Sequence, residues 1–335
     1  MGGQVTRRAA SYVAHVKRGT LVSILALALV GAPAAHAATA SVSSETEEEG
    51  TAVSFALTAA PGEANRVTVT VAPPSGKKRT VVFRDAGAPL TAGDGCRAGA
   101  GGSVVCSAQL GDFANSVDVT TDDLDDVVNT GGVGLRGFTV FVDGGDGSDV
   151  LTGSRTLVNA LFGDFVNSER GDDRLTGGRR DDFLQGGPGA DLIDGRGGSD
   201  QATYRDERHR VRVDLAAGVA LSSAGERDRL RSVERVEGGD GADVLRGSRA
   251  RNVLEGLAGD DTLLGDAGAD TLVGGPGRDR LVGGFGLDLF DAGPGQDRIR
   301  SADGRAETVR CGPGADRVLA DRADRRSACE SVRLR

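Results

Sequence analysis

Residues 238–300 read GGDGADVLR, GSRARNVLE, GLAGDDTLL, GDAGADTLV, GGPGRDRLV, GGFGLDLFD and AGPGQDRIR, which are seven consecutive nonapeptides without an insertion. An earlier array over 143–203 starts with GGDGSDVLT at 144. After a degenerate stretch to about 167, it continues as SERGDDRLT, GGRRDDFLQ, GGPGADLID and GRGGSDQAT. Self-similarity at a short fixed period is typical of solenoids, in which each repeat packs only against its neighbours. The period therefore predicts an all-β coil in both arrays.

Each nonapeptide divides into a turn of six residues and a strand of three. The eighth place is large and apolar throughout the second array, which predicts one stack of inward side chains: Leu245, Leu254, Leu263, Leu272, Leu281, Phe290 and Ile299. A disordered glycine-rich linker has no need of an apolar residue at this place, so an ordered coil is favoured.

Glycines recur at the first, second and fourth places of the turn. They permit positive φ and leave backbone carbonyls uncovered, as a tight turn lined with ligands requires. The predicted turn glycines are Gly177, Gly178, Gly186, Gly187, Gly189, Gly238, Gly239, Gly241, Gly256, Gly259, Gly265, Gly268, Gly274, Gly275, Gly277, Gly283, Gly284 and Gly286.

The sixth place is aspartate in nearly every repeat. Two nonapeptides make one coil, so successive aspartates on the same edge are expected about 4.8 Å apart. Carboxylates that close repel each other by roughly 3 kcal/mol per pair at an effective dielectric constant of about 20, which would keep a metal-free coil open. A divalent cation removes this repulsion. Carboxylate and carbonyl oxygens without sulfur or imidazole favour calcium over zinc or copper, and the roomy turns favour it over magnesium, so several calcium ions are expected.

The repeats resemble the RTX, or haemolysin-type, calcium-binding family, whose consensus is G-G-x-G-x-D-x-U-x. The resemblance implies a parallel β-roll, a right-handed β-solenoid, in which sixth-place aspartates of turns i and i+2 share an ion. The implied pairs are Asp173 with Asp191, Asp182 with Asp200, Asp243 with Asp261, Asp261 with Asp279, Asp270 with Asp288, and Asp279 with Asp297. The full set of candidate ligands adds Asp149 and Asn252, and Asn252 is expected to make a weaker site because it replaces an aspartate opposite Asp270.

The sequence outside the arrays divides into four segments. Residues 1–37 carry basic residues, a short apolar run and small residues before a cleavage site after Ala37, which is typical of a signal peptide. Residues 41–142 alternate with period two between proline- and glycine-rich turns and are predicted to form a small β-sandwich-like amino-terminal domain. Residues 204–237 are an irregular insertion that either interrupts or continues the coil. Residues 301–335 contain degenerate turns.

Export would place the four cysteines in an oxidising compartment, where close pairs form disulfides. Three pairings are possible. The long repeat region between the two pairs favours the local pairing, Cys96 with Cys106 and Cys311 with Cys329. The second disulfide would close the degenerate turns into a cap, with a stabilisation of about 3 kcal/mol on the loop-entropy model. A zinc site is disfavoured because the C-x-x-C spacing is missing.

Several classes of function are disfavoured. The formal charge of −9 is spread over interleaved arginines and aspartates, which argues against nucleic acid as a partner. The chain lacks the H-E-x-x-H and G-x-S-x-G motifs, and His209 is the only histidine after the predicted signal peptide. The acidic run from Asp122 to Asp126 is expected to face solvent or to supply a further calcium ligand, and no catalytic residue is predicted.

We therefore expect a secreted, non-enzymatic calcium-binding protein, extracellular or at the cell surface, that folds on meeting calcium and has a structural or surface-interaction role. An adhesin or envelope-associated module, whose amino-terminal domain binds a cell-surface glycan or protein, is the alternative. A hydrolase with an unrecognised site is a less favoured one. No transmembrane anchor is expected after signal cleavage, and the oligomeric state is left open.

Overall fold

The computed structural model describes residues 37–47, 50–72, 77–109, 115–132, 139–154, 165–167, 169–222 and 225–335. The predicted signal peptide, apart from its last residue, lies outside the described residues. Within these ranges no helix is long and apolar enough to cross a membrane. The described chain is almost entirely β-structure, with one short 3₁₀ turn at Ala100–Gly102.

Short strands alternate with turns along the whole described chain. The strands before the first repeat array are β1 (Ala38–Glu47), β2 (Gly50–Thr58), β3 (Arg66–Val71), β4 (Lys78–Asp85), β5 (Leu90–Ala92), β6 (Cys96–Ala98), β7 (Val104–Gln109), β8 (Asn115–Thr120), β9 (Val127–Gly132) and β10 (Thr139–Asp143). The strands that follow are β11 (Val150–Thr152), β12 (Phe165–Asn167), β13 (Arg174–Thr176), β14 (Phe183–Gln185), β15 (Leu192–Asp194), β16 (Gln201–Thr203), β17 (Arg212–Asp214), β18 (Val219–Leu221), β19 (Arg227–Arg231), β20 (Arg235–Glu237) and β21 (Val244–Arg246). The last strands are β22 (Val253–Glu255), β23 (Thr262–Leu264), β24 (Thr271–Val273), β25 (Arg280–Val282), β26 (Leu289–Asp291), β27 (Arg298–Arg300), β28 (Thr308–Arg310), β29 (Arg317–Ala320), β30 (Arg325–Ser327) and β31 (Ser331–Leu334).

The strands form two long sheets around one core. Sheet A has the order β5-β1-β2-β8-β10-β12-β14-β16-β20-β22-β24-β26-β28-β30. In sheet B, β9, β11, β13 and β15 are consecutive neighbours, and β21, β23, β25, β27, β29 and β31 follow each other in the same way. In the second array each strand pairs in parallel with the strand two nonapeptides later, so that Leu263 lies opposite Leu281. The β-roll with two nonapeptides per coil is therefore confirmed.

The eighth-place side chains fill the core between the sheets. Leu245, Leu254, Leu263, Leu272, Leu281 and Phe290 are fully buried, and Ile299 is 3% exposed. Burying a side chain of this size contributes about 1.5–3 kcal/mol, and each coil adds two of them. The predicted apolar stack is confirmed. It explains why the strands need only three residues, of which the middle one points inward.

The amino-terminal strands extend the same two sheets. Strand β8 pairs in parallel with both β2 and β10, and β9 pairs in parallel with both β3 and β11. Phe55, Phe83 and Val117 accordingly belong to the same buried cluster as the leucines of the roll. Residues Ala37–Arg335 form one compact unit. That 41–142 is a separate, β-sandwich-like domain stays a prediction.

The segment 204–237 continues the coil and adds a hairpin to it. Strand β17 pairs antiparallel with β18, which pairs antiparallel with β19. Strands β19 and β17 then pair in parallel with β15 and β21 respectively. Sheet A has only β20 between β16 and β22 at this level. Sheet B therefore contains two more strands than sheet A in this part of the roll.

Both predicted disulfides are present. Cys96 lies directly opposite Cys106 where β6 pairs with β7, so this disulfide joins two neighbouring strands of sheet B. Cys311 and Cys329 join the turn after β28 to the turn before β31. Val309 and Val318 remain buried in the eighth-place stack, so the degenerate turns of 301–335 continue the roll to its carboxyl end.

Candidate metal centre

Two rows of carboxylates run along the roll. The first ladder consists of residues directly before or at the start of strands of sheet B, and the second ladder consists of those directly before strands of sheet A. In each ladder one carboxylate oxygen accepts the backbone N–H of the corresponding residue one coil earlier. The six pairs expected to share an ion are all neighbours in this sense, at 2.8 or 2.9 Å: Asp173 and Asp191, Asp182 and Asp200, Asp243 and Asp261, Asp261 and Asp279, Asp270 and Asp288, Asp279 and Asp297.

The second carboxylate oxygen has no such partner in many of these residues. Oδ2 is buried and accepts no hydrogen bond from the described part of the chain in Asp191, Asp200, Asp261, Asp270, Asp279, Asp288 and Asp297. Leaving one buried acceptor unsatisfied costs about 1–3 kcal/mol, and more when the group is charged. A repeated row of orphaned carboxylate oxygens is the arrangement that bound cations would satisfy. Asp182 and Asp243 differ because their Oδ2 atoms accept the N–H groups of Gly178 and Gly239.

The first-place glycines leave room beside these oxygens. A Cβ atom built on Gly256 would lie 2.3 Å from Oδ2 of Asp261 and 2.7 Å from the carbonyl oxygen of Gly274. A carboxylate oxygen and a carbonyl oxygen of the next coil therefore face the same small volume. Glycine is needed at the first place because a side chain would have no room there. The sequence predicted positive φ at this place, and the structure does not show it. Positive φ occurs at second-place glycines such as Gly275, at 104°.

Burial controls the acidity of the ladder carboxyls. The pKa of Asp191 and Asp200 is raised from 3.8 to about 8. Removal from water is the largest cause, the backbone hydrogen bond acts against it, and neighbouring carboxylates add to the rise. The same causes raise the pKa of Asp270 and Asp279 to about 7. These groups resist ionisation without a cation, so calcium binding near neutral pH should release protons.

The donor set fits calcium better than zinc. Among the described residues no cluster of three or more His, Cys, Asp or Glu side chains could hold a metal ion. An ion at the first-place glycines would thus take one or two carboxylates from the ladder and its remaining ligands from backbone carbonyls. Calcium accepts six to eight oxygen ligands in flexible geometry, whereas zinc prefers four nitrogen or sulfur ligands.

The structure adds members to both ladders that the nonapeptide pattern did not reveal. They accept or donate the same interstrand hydrogen bonds and are Asp126, Asp228, Asp316 and Glu330 in the first ladder and Glu234, Glu307 and Asp324 in the second. A signal existed for Asp126, since Asp126 and Val128 occupy the sixth and eighth places of a glycine-free nonapeptide starting at Thr121.

The remaining candidate residues lie at the surface or, like Asn252, already form hydrogen bonds within their turn. Asp122 and Asp125 of the acidic run are exposed, as is His209. The amide oxygen of Asn252 already accepts the N–H and the hydroxyl of Ser248, at 2.7 and 3.0 Å. This oxygen already accepts two hydrogen bonds, which is a structural reason to expect weak metal binding at Asn252. The weaker site itself stays a prediction.

Thr121 fills the first place of its turn with a hydroxyl group. Its Oγ1 donates to the carbonyl oxygen of Gly144 at 3.0 Å and lies against the carboxylate of Asp126. The hydroxyl thus lies between the two groups that correspond to Asp261 and Gly274 around Gly256, and it supplies a donor to the carbonyl of the next coil.

Thr121→Val keeps the shape of the side chain and removes its hydroxyl. We expect a loss of about 1–3 kcal/mol in the free energy of unfolding, because the buried carbonyl of Gly144 loses its donor. The loss should be the same at low and at saturating calcium in denaturant titrations. Thr262→Val, on a half-buried strand position, is the control. An equal effect of the two substitutions would contradict the role of the Thr121 hydroxyl as a donor.

Comparison with known families agrees with this geometry. The model of the RTX calcium-binding nonapeptide repeat matches four copies, at residues 141–155, 169–202, 237–272 and 273–305. No curated protein sequence matches the chain. The four copies cover both predicted arrays and leave out most of the segment that carries the extra hairpin. Residues 141–305 of this chain are therefore an RTX calcium-binding nonapeptide repeat region, wound as a β-roll that binds several calcium ions.

Proposed function

We propose that this chain is a secreted, non-enzymatic protein whose roll folds when calcium enters its turns outside the cell. The observation that carries the proposal is the row of buried Oδ2 atoms without a partner, from Asp261 to Asp297. Without cations these carboxylates repel each other by roughly 3 kcal/mol per neighbouring pair, whereas a bound ion turns repulsion into attraction. Extracellular calcium modules bind with dissociation constants of about 10⁻⁴–10⁻³ M, which would leave the chain unfolded before export.

Two features support export. The pattern of residues 1–37 is typical of a cleaved signal peptide, and both disulfides belong to an oxidising compartment. We place the mature chain in the extracellular space or at the cell surface, starting after Ala37. Mass spectrometry of the exported chain tests the site of cleavage, and a chain that stays in the cell with its first 37 residues would contradict this part of the proposal.

Calcium titration of the mature chain tests the folding step. We expect circular dichroism to gain β signal cooperatively as calcium rises through about 0.1–1 mM, because each filled turn places the next coil in register. Magnesium should have little effect, since it demands small octahedral sites and dehydrates reluctantly. No change up to 10 mM calcium, or an equal response to magnesium, would refute calcium-driven folding.

The role that fits such a protein is structural or surface-interacting. The amino-terminal strands lie mostly before the matched repeats and carry few groups of the calcium ladders, so we place contact with a cell-surface glycan or protein there. Binding of the calcium-loaded mature chain to isolated cell envelopes, compared with binding of a mature chain substituted on β1 and β2, tests this placement.

A further inference from the structure

The cap beyond the matched repeats contains a buried carboxyl group whose one hydrogen-bonding neighbour among the described residues is another carboxyl group. Glu307 is 2% exposed, and no described N–H or hydroxyl group donates to its carboxylate oxygens. Its backbone N–H donates to Oδ1 of Asp324 at 3.1 Å, which fixes it in the second ladder directly before β28. The matched repeats end at residue 305, so Glu307 belongs to no matched nonapeptide.

The Glu307 carboxylate lies against the side chain of Asp288, one coil earlier. Oδ1 of Asp288 accepts the N–H of Asp270 at 2.9 Å, while its Oδ2 is buried without a partner. Three carboxylate oxygens therefore meet between two coils, and without a cation the two carboxyl groups hydrogen-bond to each other only when one of them is protonated. Burial, followed by the charges of Asp288, Asp303 and Asp324, raises the pKa of Glu307 to about 9.

The neighbouring charged groups are already engaged with other partners. Oδ2 of Asp324 accepts the hydroxyl of Ser301 at 2.7 Å and the N–H of Asp321 at 2.8 Å. Asp303 accepts the N–H groups of Gly286 and Arg305, and the exposed Arg305 guanidinium lies 3.9 Å from the Asp303 carboxylate. No described cationic side chain forms an ion pair with Glu307.

We propose that Glu307 and Asp288 hold an additional calcium ion between the last matched repeat and the disulfide-closed cap. The turn before β28 spans 301–307, one residue longer than the six of a regular nonapeptide, and glutamate replaces aspartate at its end. Two buried carboxylates supply the hard, anionic oxygens that calcium prefers. This inference rests on the proposed calcium-driven folding and extends it to a site that the nonapeptide consensus does not describe.

Glu307→Gln tests the site in the full mature chain. Equilibrium dialysis with radioactive calcium at saturating concentration is expected to find one ion fewer per chain than in the unsubstituted protein. In calcium the variant should melt at a lower temperature than the unsubstituted chain, and the difference should shrink as the calcium concentration is lowered. A purely structural role would lower the melting temperature by the same amount at every calcium concentration.

Asp291→Asn is the matched control. Asp291 belongs to the same coil as Asp288, but its side chain is 45% exposed and lies 3.9 Å from Arg310, so the full number of ions is expected. An unchanged ion count in Glu307→Gln would overturn the proposal. A wild-type chain that binds no calcium at all would instead refute the proposed function of the roll.

Anomalous scattering from calcium-loaded crystals of the unsubstituted chain decides the matter without any variant. A peak is expected within about 2.3–2.6 Å of a Glu307 carboxylate oxygen, which is the usual calcium–oxygen distance. Peaks at the nonapeptide turns with none beside Glu307 would overturn the proposal and leave the function of the roll intact.

Discussion

Gly274→Ala is expected to remove one calcium ion from the second array and to destabilise the loaded roll by about 2 kcal/mol. A Cβ atom at this place would lie 2.4 Å from Oδ2 of Asp279 and 2.5 Å from the carbonyl oxygen of Ala292. The methyl group would therefore occupy the volume that both oxygens face. Ala292 itself stands at the first place of the last nonapeptide, so the turn accepts alanine and the variant should still fold.

Equilibrium dialysis and thermal unfolding in calcium measure the two effects of Gly274→Ala. Gly197→Ala is the matched control, because the nearest atom to its new Cβ would be Cα of Arg179 at 3.9 Å, an ordinary contact. The control should keep every ion. Equal ion counts in the two variants would show that the first-place glycine is not part of a calcium site.

Acidification is expected to stabilise the metal-free roll. The pKa of Asp191 and Asp200 is about 8 in the folded chain against 3.8 for an ordinary aspartate, so the folded state binds more protons between these values. Each group contributes stability that is complete below about pH 4 and is lost as pH rises through about 8. Between about pH 5 and 7 the folded groups are protonated and the unfolded ones are ionised, so stability should fall by roughly 1.4 kcal/mol per pH unit for each group.

Circular dichroism of the metal-free chain in EDTA, at several pH values between about 5 and 8, measures this dependence as β signal gained on acidification. Asp191→Asn combined with Asp200→Asn should flatten it, because amides do not titrate. In saturating calcium the sign should reverse, since protons then compete with the ion for the same oxygens. A metal-free roll whose stability is constant or increases with pH would contradict the raised pKa values.

The sequence was sufficient wherever the period of nine holds. Unbroken spacing from 238 to 300 placed Leu263 opposite Leu281 and Asp261 beside Asp279, because strand register follows directly from a constant coil length. The disulfide pairing also followed, since a long stiff roll separates the two cysteine pairs. These features depend on local order along the chain, which a sequence displays directly.

The sequence was insufficient wherever turns change length. Asp126 and Asp149 are neighbours in the first ladder although 23 residues separate them, and 37 residues separate Asp191 from Asp228. Ladder membership requires only that a residue lie directly before a strand or, like Asp228 in β19, at its start, so loops and hairpins of any length can lie between two members. A repeat pattern read along the chain misses such pairs, as it missed Glu307 after its longer turn.

The hairpin between the arrays interrupts the first ladder and should therefore separate the roll into two cooperative units. At the level of β17 the place of a ladder carboxylate is taken by Val211, whose N–H donates to Asp243. Strand β18 runs antiparallel, so the first ladder stops at Asp228 and restarts at Asp243. The second ladder alone passes this level, through the Glu234 carboxylate that accepts the N–H of Asp200.

In a chain of nearest-neighbour units, a weakened contact between two units limits how far order spreads. Each array should therefore order as its own block, and the hairpin sets the coupling between the blocks. One block can then be complete while the other is still unfolded.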